Sequence, residues 1–206
     1  MLTSTLITGF TSGAGLLVCI GSQNAFVLRQ GLLRNHLFVV ASICILSDII
    51  LISGGISGLG MLIQQWPKLI ELIRYGGGIF LAVNAILAAK RAWDGGGQLK
   101  AASTSVSKRT QIMLTCLGYT WLNPHVYIDT ILLLGSLSMH YSGVEKWKFG
   151  IGALTASFIW FISITYGAKL LLPLFHSPHA WRILDIMVAV MLAYFSVSLI
   201  TTPITG

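Results

Sequence analysis

"LFVVASICILSDIILISGGISGLGMLI", residues 37–63, contains a single charged side chain, Asp48. A helix rises about 1.5 Å per residue, so this stretch is long enough to cross the roughly 30 Å hydrocarbon core of a bilayer. Two further stretches, residues 1–28 and 149–168, carry no charge at all. Several uncharged runs of this length predict an all-α integral membrane protein.

The composition of the whole chain agrees with that class. Its 206 residues are 55% hydrophobic and 9% charged, and the mean hydropathy is +0.82. Soluble domains carry about 25% charged residues, so a soluble fold lacks the polar surface it needs here. The net charge of +7 would suit a nucleic-acid partner. Because the basic residues lie in short connections between apolar runs, we expect them to orient the chain in a lipid bilayer and predict no nucleic-acid partner.

We predict six transmembrane helices that form one transmembrane domain over residues 1–206. The domain divides into repeat one (1–90), a flexible loop rich in glycine, serine and basic residues (91–109), and repeat two (110–206). The six spans are expected at about 4–28, 37–63, 69–89, 110–139, 149–171 and 182–202.

The distribution of basic residues predicts the orientation of these spans. Four basic residues lie in the second and fourth connections: Lys68, Arg74, Lys146 and Lys148. Nine lie in the first, third and fifth: Arg29, Arg34, Lys90, Arg91, Lys100, Lys108, Arg109, Lys169 and Arg182. The richer side is expected to face the cytoplasm, which places the 91–109 loop inside and both termini outside. If one segment only dips into the membrane, the N-terminus is inside instead.

Two of the apolar spans are interrupted by residues that loosen a helix. "IGSQNAFVLRQG", residues 20–31, contains Gly21 and Asn24, and "TWLNPHVYIDT", residues 120–130, contains Asn123 and Pro124. Each interruption falls in the opening span of a three-span half. Because three is odd, the halves would insert with opposite orientation, and matching interruptions in inverted repeats point to a transporter binding site. The expected fold is two inverted three-helix repeats with interrupted first and fourth helices.

An interrupted helix frees backbone groups that protein, water or a ligand must satisfy inside a membrane. Freed N–H groups favour a carboxylate and freed carbonyls favour an ammonium group. The side-chain amides of Gln23, Asn24 and Asn123 offer donors and acceptors beside both interruptions. This chemistry suits a zwitterion. The alternative is a pair of simple kinks whose amides bond neighbouring helices.

Two carboxylates accompany these interruptions. Asp48 is about 17 Å into its span, near the membrane centre, and Asp129 follows His125 by four residues on one helix face. An intramembrane carboxylate is costly and points to function, so Asp48 is a candidate for binding a cation or carrying a proton. The alternatives are a hydrogen-bonded packing role for Asp48 and an interfacial His125–Asp129 pair.

Other polar residues are expected to have structural roles. Asp185 follows Arg182 by three residues and suits a helix N-terminus, Glu71 and Arg74 are spaced to pair, and the lone amide of Asn84 predicts a hydrogen bond between helices.

Sulfur, imidazole and glycine patterns give no cofactor site. The cysteines Cys19, Cys44 and Cys116 are expected to pack within spans, and the His176-x-x-His179 pair lacks the context of a metal site. Small-residue pairs permit close helix contacts inside the bundle or in a homodimer. They are Gly9-x-x-x-Gly13 and Gly54-x-x-x-Gly58.

Four segments resemble the LysE-type amino-acid exporter family: "GSQNAFVLRQG" (21–31), "LSDIILISGG" (46–55), "TWLNPHVYIDT" (120–130) and, more weakly, "SFIWF" (157–161). The two longest look most like the branch that exports lysine and arginine, although that branch usually has proline where this chain has Ser22. The resemblance covers nearly the whole chain.

The resemblance implies a multi-pass protein of the bacterial inner membrane that exports basic amino acids, driven by an ion gradient, expected to be protons, without a cofactor. The motif positions imply six substrate-binding residues: Gln23, Asn24, Asp48, Asn123, Pro124 and Asp129. Helix breaks are implied at Gly21 and Pro124. The alternatives are an exporter of neutral amino acids such as threonine or homoserine and, from other classes, a channel, a non-transporting membrane protein or an intramembrane enzyme.

Overall fold

The structure, a computed structural model, describes residues 2–18, 21–58, 67–94, 109–175 and 177–201, and every regular element in these ranges is helical. The helices are α1 (Leu2–Leu17), α2 (Ser22–Leu33), α3 (Leu37–Ile56), α4 (Pro67–Trp93), α5 (Arg109–Trp121), α6 (Pro124–Tyr127), α7 (Leu134–Ser138), α8 (Val144–Gly167) and α9 (Pro178–Thr201). A π-helical segment, Ile128–Leu133, joins α6 to α7, and a 3-10 helix, Ala168–Phe175, extends α8.

Four of the described helical stretches are long and apolar enough to cross a membrane: Leu37–Ser57, Glu71–Trp93, Val144–Pro173 and His179–Thr201. These correspond to the predicted second, third, fifth and sixth spans. Helices α1 and α2 are bent by 82° relative to each other, and as a pair they would provide a fifth span. The predicted all-α membrane class is therefore confirmed.

The predicted fourth span, 110–139, is divided into several pieces rather than continuous. Helix α5 has 13 residues, and the chain leaves helical geometry at Asn123 before α6 begins. Length and apolarity therefore support four or five spans in the described part of the chain. The count of six, and their arrangement as inverted repeats, stays a prediction.

Packing between helices depends on close backbone approach at glycine. Helix α1 packs along α8, and a Cβ atom on Gly9 would lie 2.0 Å from the backbone oxygen of Phe149. Gly13 faces Ala153 in the same way. The Gly9-x-x-x-Gly13 pair therefore makes a helix contact inside the bundle, which is the first of its two predicted uses.

Helix α3 makes its close contact through Gly55, which is not a member of the predicted Gly54-x-x-x-Gly58 pair. A Cβ on Gly55 would lie 2.6 Å from the backbone oxygen of Thr130, in the π-helical segment, and Gly135 faces Gly55 from α7. This contact presses α3 against the segment that follows the second interruption.

Two of the three cysteines lie in the described chain and are fully buried. The Sγ atoms of Cys44 on α3 and Cys116 on α5 are 3.6 Å apart, so both are free thiols packed against each other. Their predicted packing role is confirmed. Cys19, His176, residues 95–108 of the predicted loop and the last residues of the second predicted span lie outside the described residues.

Candidate substrate-binding site

The first interruption separates α1 from α2, as predicted at Gly21. Gly21 is extended (φ −105°, ψ 175°) and precedes the first residue of α2. The side chain of Asn24 bridges the two helices, because its Nδ2 donates to the backbone oxygen of Leu17 at 2.8 Å. Trp160 Nε1, on α8, donates to Asn24 Oδ1 at 3.2 Å. The Asn24 amide thus satisfies a carbonyl at the end of α1 and is itself held by α8.

The second interruption separates α5 from α6. Asn123 is extended, and its Oδ1 accepts a hydrogen bond from the backbone N–H of His125 at 3.2 Å. Pro124 occupies the first position of α6, where its missing N–H costs nothing. The hydroxyl of Tyr127 donates to the backbone oxygen of Trp121 at 2.7 Å. A carbonyl at the end of α5, expected to be free for a ligand, is therefore satisfied by the protein.

Both interruptions border one cavity of about 220 Å³. It is lined by Leu16, Leu17, Gly21, Ser22, Gln23, Asn24, Asp48, Ile52, Asn123, His125, Val126, Asp129, Thr130, Leu134, Phe161 and Phe195. Five of the six predicted binding residues are therefore brought together, although they come from distant parts of the sequence. The sixth, Pro124, is buried at the start of α6 and does not line the cavity.

Asp48 lies in the middle of α3 and is 2% exposed. Its Oδ2 accepts a hydrogen bond of 2.6 Å from Ser157 Oγ on α8. The hydroxyl oxygen of the preceding residue, Ser47, accepts a hydrogen bond from Trp121 Nε1 at 3.1 Å. Asp48 therefore borders the cavity from a helix that is fixed on two sides.

Asp129 lies in the π-helical segment and is half-buried. Single π-helical turns are rare and frequently occur at functional sites. The hydroxyl of the neighbouring Thr130 donates a hydrogen bond to the backbone oxygen of Val126 at 2.6 Å. The backbone of Thr130 packs closely against Gly55. The segment is thus held on its far side while Asp129 and the exposed His125 both border the cavity.

The cavity has an unbalanced charge. Two carboxylates, Asp48 and Asp129, line it, and no lysine or arginine is among its described lining residues. No group of three or more His, Cys, Asp or Glu side chains within the described ranges is arranged to hold a metal ion. The arrangement suits an organic cation, with Gln23 and Ser22 supplying further polar surface.

The sequence analysis missed a buried ionic cluster outside the cavity. Asp185 on α9 is 1% exposed, and its Oδ1 accepts hydrogen bonds from Arg29 Nε at 3.3 Å and Arg91 Nε at 3.0 Å. The predicted place beside Arg182 in a first helical turn is wrong, because α9 begins at Pro178 and Asp185 is already in its second turn. A carboxylate in the second turn of an apolar helix, beyond the free N–H groups of its first turn, was the signal for a buried partner.

The structure contradicts one predicted side-chain contact and confirms another. Asn84 Nδ2 donates to the backbone oxygen of Phe80, four residues earlier in α4, at 2.8 Å, so the predicted hydrogen bond between helices is wrong. Because side chains of an α-helix point back toward its N-terminus, the amide of an asparagine can reach the carbonyl four residues earlier. Glu71 and Arg74 pair at 4.0 Å, as predicted.

Apolar helices around a cavity that carries amide and carboxylate side chains, formed where two helices are interrupted, are the architecture of a membrane transporter. A family model described as "LysE type translocator" matches residues 14–202. The chain therefore belongs to the LysE family. It is an amino-acid exporter of the bacterial inner membrane and not an enzyme, as the resemblance implied.

Individual relatives agree with this assignment. The chain is 42% identical to a candidate amino-acid transporter of Mycobacterium tuberculosis. The 189 aligned residues make up 91% of this chain and 93% of the relative. It is 40% identical over 184 residues to the arginine exporter protein ArgO of Salmonella typhimurium, covering 89% and 87%. No solved structure matches the chain.

Proposed function

We propose that the chain exports basic amino acids, with arginine as the main substrate and lysine as the second. We further propose that proton movement drives the export. The observation that carries this proposal is the pair of carboxylates, Asp48 and Asp129, on one cavity whose described lining has no basic side chain. Relatives named as arginine exporters, at 40% identity over most of the chain, support the same substrate.

Charge matching favours a basic over a neutral amino acid. Arginine and lysine each carry two cationic groups and one carboxylate, so two acidic side chains are both paired when such a substrate binds. A neutral amino acid has one cationic group and would leave one acidic side chain unpaired. Leaving a charge unpaired in a poorly solvated site is costly, which makes threonine or homoserine the weaker alternative.

A buried carboxylate also supports the proposed coupling. Asp48 is almost fully buried in an apolar helix, and within the described part of the chain its carboxylate accepts a hydrogen bond from one side chain, the neutral hydroxyl of Ser157. Such a carboxylate can hold either a proton or a substrate cation, and exchange between the two would link their movements. We therefore assign the coupling to Asp48.

The same proposal includes the six-span arrangement of two inverted halves. The interruptions at Gly21 and Asn123 each lie in the first span of one half, and both border the same cavity. Binding at the interface of two such halves allows access to alternate between the two sides of the membrane.

Vesicles test the substrate and the coupling together. Purified protein is reconstituted, and the vesicles are loaded with labelled arginine, lysine or threonine, with a pH gradient imposed or collapsed. We expect saturable efflux of arginine and lysine that exceeds threonine efflux and falls when the gradient collapses. Faster threonine efflux would support the neutral alternative, and flux that ignores the gradient would contradict proton coupling. Protein-free vesicles provide the background.

A further inference from the structure

Among its described lining residues, the cavity contains one imidazole, that of His125, in addition to the two carboxylates. His125 lies on α6 directly after the second interruption, four residues before Asp129. Residues four apart along a helix lie on one face, and both of these side chains border the cavity. They are close enough for their charges to interact. A histidine therefore accompanies one of the two carboxylates that we assign to the substrate.

Neither side chain is committed to another partner in the described part of the chain. His125 and Asp129 do not form an ion pair with each other there, and no other side chain bonds the imidazole or the carboxylate. The backbone N–H of His125 donates to Asn123, and the ring of Phe195 on α9 contacts the imidazole with centroids 6.3 Å apart. The imidazole is thus positioned by its backbone and an apolar neighbour, while its nitrogen atoms keep the capacity to bind a proton.

The other titratable group that faces His125 across the cavity is Asp48 on α3. The described lining contributed by α2, α8 and α9 is uncharged. Two phenols lie nearby, that of Tyr127 on α6 itself and that of Tyr194, which contacts Phe195 on α9. Phenols keep their proton over the range in which imidazole titrates, so they do not compete with His125 near neutral pH.

Helices α4 and α5 also pack against α6. Neither contains a histidine, and Glu71 is their only carboxylate. Helix α4 approaches Leu122 through Gly77, and its charged residues nearest this contact, Arg74 and Glu71, pair with each other. The titratable side chain in the last turn of α5, Tyr119, packs against aromatic rings of α2 and α4 instead. The guanidinium of Arg74 is a fixed charge, so these helices add no group that titrates with the imidazole.

We propose that His125 accepts the proton whose binding releases the substrate from Asp129. This inference rests on the proposed function and adds to it a proton acceptor beside the second carboxylate. Neutral His125 leaves Asp129 to a cationic group of the substrate. Protonated His125 competes for the same carboxylate and repels the substrate, so one proton enters the site as one cationic group leaves. Imidazole suits this exchange, because it is the side chain that titrates between about pH 5 and 8.

The exchange has the direction that export requires. When the outside is the more acidic side, His125 gains its proton there and the substrate cation is displaced outward. The proton is returned to the cytoplasm before the next substrate binds. Arginine carries two cationic groups, and the cavity then has two places of exchange: the carboxylate of Asp48 itself, and His125 beside Asp129.

The pH dependence of arginine binding provides the test. Equilibrium dialysis of labelled arginine against the purified full-length protein gives Kd at about pH 8 and about pH 6, on either side of the imidazole range. We expect the wild-type Kd to be about tenfold higher at the lower pH, the effect of losing one interaction between charged groups. His125→Gln, which cannot gain a proton, should lose most of this change. It should also bind arginine more tightly than the wild type at the lower pH, which the loss of a merely structural contact would not produce.

A fixed charge and a distant histidine complete the set of variants. His125→Lys carries a positive charge at both pH values and should bind arginine about tenfold more weakly than the wild type at the higher pH. His140→Gln is the matched control, because His140 is exposed after α7 and does not line the cavity. It should keep the wild-type ratio of the two Kd values. His125→Asn, with the same expectation, replaces His125→Gln if the latter does not reach the membrane.

The possible results separate this inference from the proposed function. A wild-type Kd that is the same at both pH values, or a His125→Gln protein with the wild-type ratio, would overturn the role of His125 and leave arginine as the substrate. If the wild type binds threonine but not arginine, or neither, the proposed substrate is wrong, and this inference, which requires a basic amino acid, is wrong with it.

Discussion

At the scale of single residues, the polar groups of the cavity have different roles despite similar chemistry. Asn24 has both ends of its amide occupied, by the Leu17 carbonyl and by Trp160, and so connects α1, α2 and α8. Gln23, its neighbour, also lines the cavity, and its side chain lies within hydrogen-bonding reach of the Cys44 thiol. We therefore attribute helix positioning to Asn24, because both ends of its amide are already bonded.

Asp48 gives the most direct residue-scale prediction. Asp48→Asn keeps the shape and the contact with Ser157 but removes the negative charge. We expect arginine efflux to fall by roughly tenfold or more, since a hydrogen bond to a charged group contributes about 1.5–3 kcal/mol. Asp48→Glu should retain part of the activity. Efflux of labelled arginine from vesicles, corrected for the amount of protein in the membrane, measures the effect.

Asp94→Asn is the control for this prediction, because Asp94 is exposed after α4 and does not line the cavity. It should export arginine at the wild-type rate. If Asp48→Asn also exports at the wild-type rate and keeps its dependence on the pH gradient, Asp48 neither binds the substrate nor carries the proton, and Asp129 becomes the leading carboxylate.

At the scale of helices, the ionic cluster of Arg29, Arg91 and Asp185 joins α2, α4 and α9 at one end of the bundle. Each guanidinium uses its Nε on the same oxygen of Asp185. Leu28 and Leu184, which adjoin Arg29 and Asp185 in sequence, pack against a buried apolar cluster that contains Leu32 and Trp181. A carboxylate shared by two helices other than its own fixes their relative position more firmly than a single pair would.

Removal of that carboxylate should therefore destabilise the protein. Asp185→Asn leaves two guanidinium groups without their buried partner, and we expect a loss on the order of 3 kcal/mol, the lower end for breaking a buried pair because Arg91 is partly exposed. Thermal unfolding in detergent measures the change.

Glu71→Gln is the matched control for Asp185→Asn, since it breaks an ion pair whose carboxylate is 60% exposed. Its melting temperature should stay close to that of the wild type, because exposed pairs contribute about 0–1 kcal/mol. Equal melting temperatures for Asp185→Asn and the wild type would show that the cluster does not hold the helices together.

At the scale of the whole molecule, the ionic cluster bears on topology. Arg29 lies near the end of α2, Arg91 near the end of α4 and Asp185 near the start of α9, so the first, third and fifth connections reach the same end of the bundle. These are the connections that carry nine of the 13 basic residues. The positive-inside rule then predicts that this end faces the cytoplasm.

A reporter fused within the 91–109 loop tests that orientation. We expect cytoplasmic activity, for example fluorescence without alkaline phosphatase activity, because nine basic residues lie on that side and four on the other. Fusions within residues 139–143, between α7 and α8, should give the opposite pattern. Phosphatase activity from the loop fusion would reverse the topology.

The sequence by itself determined the membrane class, most of the span positions, both helix interruptions and the residues around them. These features depend on local properties: apolar length sets a span, and glycine, asparagine and proline change the backbone where they stand. The family also followed from short motifs at those places.

Only the tertiary structure decided which polar groups meet. It brought Gln23, Asp48 and Asp129 to one cavity and occupied both ends of Asn24. It also paired Asp185 with two arginines far away in the chain. Local sequence cannot specify these partners, because a buried hydrogen bond or ion pair depends on how helices separated by many residues pack against one another.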